Sequence, residues 1–459
     1  MDYIPSSDND LQDMIRASGY QSFDDLIATI PEKLRFPEMN LPAPLTELEL
    51  MREMKQIAAQ NWPIDEYLSF LGAGAYDHFI PTVVDYLSGR GEFYTAYTPY
   101  QAEASQGTLQ VIYEYQSLMC ALTGLDVSNA SLYDGASALG EAAFMTLNID
   151  PAKNKLLISG CIHPEYIQVI RTYLGPIDAE VVIIPEKNGR TDLDSLEKLI
   201  DEKTAAVFVQ SPNFFGTIEE MEQFSKVIKS KGAFFVAVVN PISLGVLKAP
   251  GEYGADICVG EGQPLGIPVS FGGPYLGFFT CSKQFVHKIP GRLVGRTVDT
   301  CGDLGYCLTL QAREQHIRRE KATSNICTNQ SLMALRATIY LCMLGKKGMR
   351  EVGELNLKLS HYAATQIAAI DGAQIMHLND QAPFFNEFVV KLPVEAVALC
   401  EELAETGTFA GLPLSRFFPH LKNELLVCVT ETKTKNEIDH FVWELGEAIQ
   451  KLSSKGAAV

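Results

Sequence analysis

The chain has 459 residues, of which 47% are hydrophobic, and its 37 Lys and Arg against 56 Asp and Glu give a formal net charge of −19. This length and composition predict two or three folded domains with proper hydrophobic cores. The negative charge argues against a nucleic-acid-binding protein, because phosphate contacts require clustered basic side chains.

The ten cysteines lack the pair spacing of a zinc knuckle, which predicts reduced thiols and no metal site. The first residues have neither a signal-peptide nor a transit-peptide pattern. The longest apolar runs, such as residues 233–239, are much shorter than the roughly 20 residues that cross a bilayer. The sequence therefore predicts a cytoplasmic protein without a membrane segment.

Residues 1–65 predict an N-terminal helical arm. Apolar residues recur at helical spacing around Met14 and again around Ile27. Prolines at positions 37, 42 and 44 then indicate an extended connector to the next domain.

Residues 66–340 predict a large α/β domain. Short apolar runs typical of strands alternate there with stretches that have helical spacing. Strands and helices of these lengths indicate βαβ units and a mostly parallel sheet that is covered on both faces. The runs expected to form strands are residues 156–160, 180–185, 205–210, 233–239 and 276–281.

Residues 341–459 predict a small α+β C-terminal domain. Two strand candidates, at 386–393 and 424–431, lie among helical patterns. The last helix is expected to begin with a capping box formed by Thr434 and Glu437.

The segment 91–107 is rich in hydroxyl and amide side chains that suit a polar pocket. Its tyrosines recur every three residues, but Pro99 excludes a continuous helix, so they do not form a helical core stripe. The alternative, which the pattern alone favours, is a structural loop that buries the tyrosine rings and bonds their hydroxyls to the backbone. The candidate pocket residues are Tyr94, Tyr97, Thr98, Tyr100 and Gln101.

A turn at 131–135 is followed by a stretch of small residues. We expect Asp134 to cap a helix there, with the free N–H groups of its first turn and Ser137 forming a cradle for a cofactor phosphate. An aspartate also caps many helices that bind no ligand, so the motif by itself has two explanations.

Together these features predict the fold of pyridoxal-phosphate-dependent enzymes of the aspartate aminotransferase type (fold type I). That chemistry requires an aromatic or histidine ring on the pyridine, an aspartate at a strand end for the ring nitrogen, and a lysine for the Schiff base. His163 follows a predicted strand and is placed to stack on the ring, although simple packing explains a lone histidine as well.

The other two positions hold the wrong residues for this chemistry. Asn240 stands where the aspartate is expected, and Gln263 stands where the lysine is expected. A neutral amide cannot stabilise a protonated pyridinium as a carboxylate does, and a glutamine cannot form a Schiff base. The sequence therefore predicts that this chain does not carry out pyridoxal chemistry by itself.

Five stretches of the sequence resemble the P-protein family of the glycine cleavage system, in order along nearly the whole chain. The similarity fits the N-terminal half of the single-chain form, or the alpha subunit of the two-chain form. Because that family carries its cofactor in the second half or beta subunit, the resemblance implies pyridoxal phosphate bound by the partner rather than by this chain. The stretches are GEFYTAYTPYQAEASQG, NASLYDGASALGEA, VGEGQPLG, SFGGPYLGFF and RREKATSNICTNQ.

The resemblance also implies a function. With its partner, the alpha subunit would act as a decarboxylating glycine dehydrogenase, an oxidoreductase that releases CO2 from glycine and passes the aminomethyl group to the lipoyl arm of the H-protein. The implied assembly has two alpha and two beta chains, with the active site at their interface. There we expect Tyr97, Thr98, Tyr100 and Gln101 to position glycine by hydrogen bonds.

The stretch 318–330 offers a second group of candidates for the same interface: Arg318, Thr323, Ser324 and Asn325. An arginine here would clamp a carboxylate or phosphate from the other subunit. An ion-pair network between Glu320 and the neighbouring arginines explains the charges equally well.

Two other functions remain as alternatives. The first is a catalytically inert scaffold that stabilises the beta subunit and docks the H-protein. The second is an independent pyridoxal enzyme such as a desulfurase or an aminotransferase, against which Gln263 argues.

Overall fold

The computed structural model describes residues 5–36, 40–322, 324–376 and 382–456. Two of the positions used above, Pro37 and Thr323, lie outside these ranges. The residues form two compact units, Met1–Pro63 and Ile64–Val459, each defined by the contacts within it.

The first unit is helical, as its apolar spacing predicts. Ser7 and Thr46 begin two of its helices, each in a capping box with the acidic residue three positions later. The domain boundary at residue 65 stays a prediction. Helices α1 to α3 cover Asp8–Ala17, Phe23–Leu26 and Glu47–Ala58.

The second unit contains the remaining helices and all the strands in the described part of the chain. Helices α4 to α14 cover Thr82–Ser88, Gly91–Tyr94, Gln106–Thr123, Gly135–Ile149, Pro164–Leu174, Leu193–Leu199, Met221–Ser230, Gln315–Arg318, Ser331–Ile367, Ala396–Ala404 and Lys435–Gly456. Strands β1 to β17 cover Leu68–Ser69, Val127–Ser128, Lys155–Ser159, Glu180–Ile184, Glu186–Lys187, Arg190–Thr191, Thr204–Gln210, Phe234–Val238, Ile257–Glu261, Gly277–Cys281, Leu293–Val298, Leu304–Thr309, Gln374–Ile375, Glu387–Lys391, Thr408–Phe409, Leu412–Pro413 and Glu424–Cys428. Within the described ranges, no helix is both long enough and apolar enough to cross a bilayer.

The central sheet has seven strands in the order β2-β10-β9-β8-β7-β3-β4. Strands β9, β8, β7, β3 and β4 are parallel, and β10 runs antiparallel to both of its neighbours. Leu157, Val207 and Phe235 belong to the core on one face, while Leu156 and Phe208 belong to the core on the other. Because both faces are buried, the strands are unbroken apolar runs rather than alternating ones.

Four chemically important side chains lie where parallel strands of this sheet end. His163 follows β3 and caps α8, Gln210 is the last residue of β7, Asn240 follows β8, and Glu261 is the last residue of β9. The backbone N–H of His163 donates to Gln210 Oε1 at 2.9 Å, which ties two of these strand ends together. Ligands of α/β proteins bind at the carboxyl ends of the parallel strands, so we expect any cofactor site of this chain at this edge of the sheet.

The C-terminal part forms a second, antiparallel sheet in the order β13-β14-β17-β16. The apolar stripe of α14, including Phe441, packs into the core of this sheet. Thr434 and Glu437 form the predicted capping box before α14. Helix α12 bends at Gly345 (φ 58°), close to the predicted boundary at residue 340, which itself stays a prediction.

Candidate functional site

The amide of Gln263, at the position expected for a lysine, is engaged within the protein. The side chain is 1% exposed. Its Nε2 donates to the carbonyls of Tyr76 (2.9 Å) and Ile267 (2.7 Å), and its Oε1 accepts from the Tyr76 N–H at 2.8 Å. The amide oxygen and one amide hydrogen therefore hold the segment around Tyr76 against the end of β9, and the other hydrogen bonds the turn at Ile267.

Tyr76 connects this edge of the central sheet to the smaller sheet. Its hydroxyl donates to Glu387 Oε2 at 2.7 Å, and the Ala73 N–H donates to Glu387 Oε1 at 2.6 Å. Burial raises the pKa of Glu387 to about 7, although these two hydrogen bonds oppose the rise. The segment from Ala73 to Tyr76 is thus held from both sides, by Gln263 and by Glu387.

His163 is packed and hydrogen-bonded on the same edge. Its Nδ1 accepts from the Glu165 N–H at 3.2 Å, so its Nε2 carries the hydrogen and donates to the Ala73 carbonyl at 2.8 Å. Tyr166 stacks on the imidazole with ring centroids 5.0 Å apart. Burial lowers the pKa of His163. The histidine is therefore a neutral packed residue, and one face of its ring is already covered.

The predicted anion cradle at the start of α7 is filled by a carboxyl group of the chain itself. Asp134 accepts from the Ser137 N–H at 2.7 Å, forming the predicted cap. Glu261 accepts from three backbone N–H groups, those of Gly135 (2.9 Å), Gln263 (2.9 Å) and Leu276 (3.0 Å). Burial raises the pKa of Glu261 to about 8, although these contacts oppose the rise. A cofactor phosphate would meet this side chain.

The space left at this edge is small. The cavity measures about 30 Å³, which is room for one or two water molecules. Asn240 borders it with its Oδ1 accepting from the Ile242 N–H at 3.0 Å. Pyridoxal phosphate therefore does not fit this chain, because the lysine is missing, the cradle is filled and the volume is too small. The cavity is bordered by Gly74, Tyr76, His163, Tyr166, Gln210, Val238, Val239, Asn240, Pro241 and Glu261.

The tyrosine-rich loop is exposed, so the interpretation of it as a structural loop with buried rings is wrong. Tyr94, Tyr97 and Tyr100 are 68%, 84% and 53% exposed. Helix α5 ends at Tyr94 after a single turn, and Pro99 excludes a continuous helix through the rest of the loop, so the three rings do not share one helical face. Three exposed tyrosines in one loop are available to a partner.

A cavity of about 260 Å³ separates this loop from the start of α12. Its polar lining consists of neutral hydroxyl and amide groups, and Gln330 leaves the first turn of α12 without a side-chain cap. A small polar molecule therefore meets hydrogen-bonding groups from both walls. The lining residues include Tyr94, Tyr97 and Thr98 from the loop and Thr328, Asn329, Gln330 and Ser331 from the other side.

The other residues of the 318–330 stretch do not line this cavity. Arg318 and Asn325 are exposed. Ser324 is half-buried, where its Oγ accepts from the Ile326 N–H at 3.1 Å. The ion pairs among the described residues include neither Arg318 nor Glu320, so the chain does not form the alternative network by itself. Their role at an interface stays a prediction.

Four residues that the sequence did not single out contribute to the geometry of the two regions: Glu261, Arg292, Asn329 and Gln330. Three of them lie within stretches that carry the family resemblance, which is the signal that would have found them. Arg292 lies outside these stretches and contacts Tyr100, far away along the chain, so no local pattern marks it.

The fold and the filled site define a chain with the fold of type I pyridoxal-phosphate enzymes whose own cofactor site is closed. A NifS-like protein superimposes with a TM-score of 0.62 at 14% identity, covering 84% of this chain and 100% of that one. A sphingosine-1-phosphate lyase of Burkholderia pseudomallei gives a TM-score of 0.66 at 13% identity, covering 94% and 96%. The predicted fold class is confirmed.

The chain belongs to the glycine cleavage system P-protein family, whose model matches residues 1–445. A Desulfitobacterium hafniense protein named glycine dehydrogenase (decarboxylating) subunit 1 is 52% identical over 448 residues, covering 97% of this chain and 100% of the relative. A Carboxydothermus hydrogenoformans protein of the same name is 49% identical over 447 residues, covering 97% and 99%. The crystal structure of an inhibitor-bound glycine decarboxylase (P-protein) matches with a TM-score of 0.88 at 42% identity, covering 98% and 100%. The resemblance is confirmed.

Proposed function

We propose that this chain is subunit 1, the alpha subunit, of a two-chain glycine dehydrogenase (decarboxylating). Its family and the names of relatives about half identical to it support this assignment. The assembled enzyme decarboxylates glycine and passes the aminomethyl group to the lipoyl arm of an H-protein. Pyridoxal phosphate supplies the electron sink for the loss of CO2 in that complex.

The observation that carries the proposal is the closed cofactor site. Gln263 in place of a lysine, Glu261 in the anion cradle and a cavity of about 30 Å³ leave no room for the cofactor in this chain. A beta subunit with an intact site therefore holds pyridoxal phosphate. The alpha chain acts by completing that site rather than by covalent chemistry.

The contribution of this chain is the exposed loop with its neighbouring cavity. Tyr97 and Thr98 offer hydroxyl groups there, and Asn329 faces them from the other wall. These groups are neutral, so they suit orientation of glycine through hydrogen bonds better than proton transfer or nucleophilic attack. Water is excluded only when a second subunit covers the exposed rings.

Exposed apolar side chains in the second unit support a large partner interface. Phe271 is 86% exposed and Phe79 is 66% exposed. Such rings are available to a partner, and obligate interfaces, which bury roughly 2,000 Å² or more, are rich in apolar side chains. An obligate beta subunit, two copies of each chain and a cytoplasmic location belong to this proposal.

The test is glycine–CO2 exchange by the full chain with the beta subunit, pyridoxal phosphate and lipoylated H-protein. We expect no exchange by the chain alone and exchange on mixing. Tyr97→Phe should lower exchange about tenfold, because it removes one orienting hydroxyl. Tyr86→Phe is the matched control, since Tyr86 is 69% exposed outside the loop.

An unchanged rate for Tyr97→Phe, with normal assembly, would favour the scaffold alternative. A rate reduced equally by both substitutions would show that the loop has no special role. Exchange by the chain alone would contradict the assignment as a dependent subunit.

A further inference from the structure

A buried arginine links the tyrosine loop to the segment before α12, beside the cavity between them. Arg292 directly precedes β11 and is 7% exposed. Its Nη2 donates to the Tyr100 hydroxyl at 3.1 Å and to the Cys327 carbonyl, while its Nη1 donates to Asn329 Oδ1 at 3.1 Å. One guanidinium therefore fixes the loop on one side and the segment before α12 on the other.

The charge of this arginine is not matched by a carboxylate. Its acceptors are a phenol, an amide and a backbone carbonyl, and it forms no ion pair in the part of the chain that the structure describes. The guanidinium also lies over the Tyr100 ring, 5.5 Å from the ring centroid. Burying a charge against neutral groups lowers the stability of the fold. An apolar side chain would stabilise the fold better if the role of this position were only structural.

The hydrogen bonds of Arg292 also determine which way Asn329 points. With Oδ1 held by the arginine, the Nδ2 of Asn329 donates to Ser131 Oγ at 3.0 Å and to the Ala130 carbonyl at 3.2 Å. Asn329 lines the cavity, so its amide is held at that wall in a single orientation, with both of its hydrogens bonded within the chain. A planar fork that bonds three acceptors and stacks on a ring is a geometry that lysine cannot reproduce.

We infer that Arg292 is a positioning residue for the proposed reaction: it fixes Asn329, which lines the cavity in which glycine is oriented, and Tyr100, which anchors the loop whose Tyr97 and Thr98 line that cavity. This inference rests on the proposed function. It predicts that the arginine acts on turnover through these two side chains, without touching glycine itself.

The experiment compares three variants in the complex with the beta subunit, pyridoxal phosphate and lipoylated H-protein, at saturating beta subunit. Arg292→Gln should lower kcat/KM for glycine about 30-fold, and Arg292→Lys should recover only a small part of it, because lysine restores the charge but not the fork. Arg336→Gln is the matched control. Arg336 is also buried (9% exposed), but it bonds to the Gly266 carbonyl and pairs with Asp85, neither of which lines the cavity.

We expect the control to lower the melting temperature while leaving kcat/KM of the assembled complex unchanged. In the full chain alone, Arg292→Gln should speed backbone hydrogen exchange in residues 94–101 and 327–331. Equal losses of kcat/KM in Arg292→Gln and Arg336→Gln would overturn the inference, and so would full rescue by lysine.

The same measurements separate the inference from the proposed function. If Tyr97→Phe slows exchange but Arg292→Gln keeps the normal kcat/KM, the inference fails and the proposed function stands. If neither substitution slows exchange in an assembled complex, the role proposed for the loop fails as well.

Discussion

Replacing Gln263 by glutamate tests whether its amide stabilises the closed edge of the sheet. The two side chains have nearly the same shape, and only the NH2 donor is replaced by an oxygen. The two carbonyls that Gln263 Nε2 reaches, those of Tyr76 and Ile267, would then face an acidic side chain. A glutamate that is 1% exposed against two carbonyls must stay protonated. One protonated carboxyl also offers a single donor where the amide offers two.

The expected cost follows from these two effects. Keeping a proton at pH 7 on a group that ionises near pH 4.3 in the unfolded chain costs roughly 3–4 kcal/mol, and one lost hydrogen bond adds about 1 kcal/mol. The folded pKa is raised, so the penalty is small below pH 4.5 and grows as pH rises. We therefore expect Gln263→Glu to lower the free energy of unfolding by about 1.5 kcal/mol at pH 4.5 and by about 4–5 kcal/mol at pH 7.

The assay is urea unfolding of the full chain, followed by circular dichroism between pH 4.5 and 7. Gln223→Glu, at an exposed position in α10, serves as the control and should change stability by no more than about 0.5 kcal/mol. A penalty that stays constant across this pH range would refute the reasoning, because it would mean that the new carboxyl reaches water.

Three further predictions concern stability. Glu387→Gln should make the free energy of unfolding less dependent on pH, because the raised pKa of Glu387, about 7, contributes stability that is present below pH 4.5 and lost as pH rises through 7; urea titrations at pH 5 and pH 7.5 measure this difference. For Glu431, burial raises the pKa, but His78 together with hydrogen bonds from the Phe79 N–H and Asn356 outweighs it and lowers the value to about 2. The stability it contributes is present above pH 4.5 and lost as pH falls, so Glu431→Gln should cost roughly 3 kcal/mol at pH 6 and much less at pH 3 in the same titration. Thr434→Ala removes the cap of α14 and should cost about 1 kcal/mol in thermal unfolding, whereas Thr434→Ser should cost little.

The sequence predicts the central sheet well because burial on both faces leaves a strong signal. The apolar runs at 156–160 and 205–210 correspond to β3 and β7 within a residue or two. That this chain does not hold the cofactor itself stays a prediction, which rests on Gln263, since a Schiff base requires a lysine at that position.

Side-chain exposure and long-range hydrogen bonds were less predictable. The tyrosines of the loop are exposed, and that exposure depends on tertiary packing and not on their spacing. The role of Glu261 depends on the approach of β9 to the start of α7, and that of Arg292 on contacts with Tyr100 and Asn329, which are distant in sequence. The spacing of residues within a short stretch of sequence does not predict contacts between distant stretches.

The most direct test of the account asks which chain carries the cofactor. The full chain is incubated with pyridoxal phosphate, alone and with the beta subunit, reduced with borohydride, and the mass of each chain is measured. The account predicts that the added mass of the cofactor appears on the beta subunit only, and that this chain keeps its unmodified mass in both samples. Stoichiometric cofactor mass on this chain would contradict it, because a lysine of this chain would then do what Gln263 cannot.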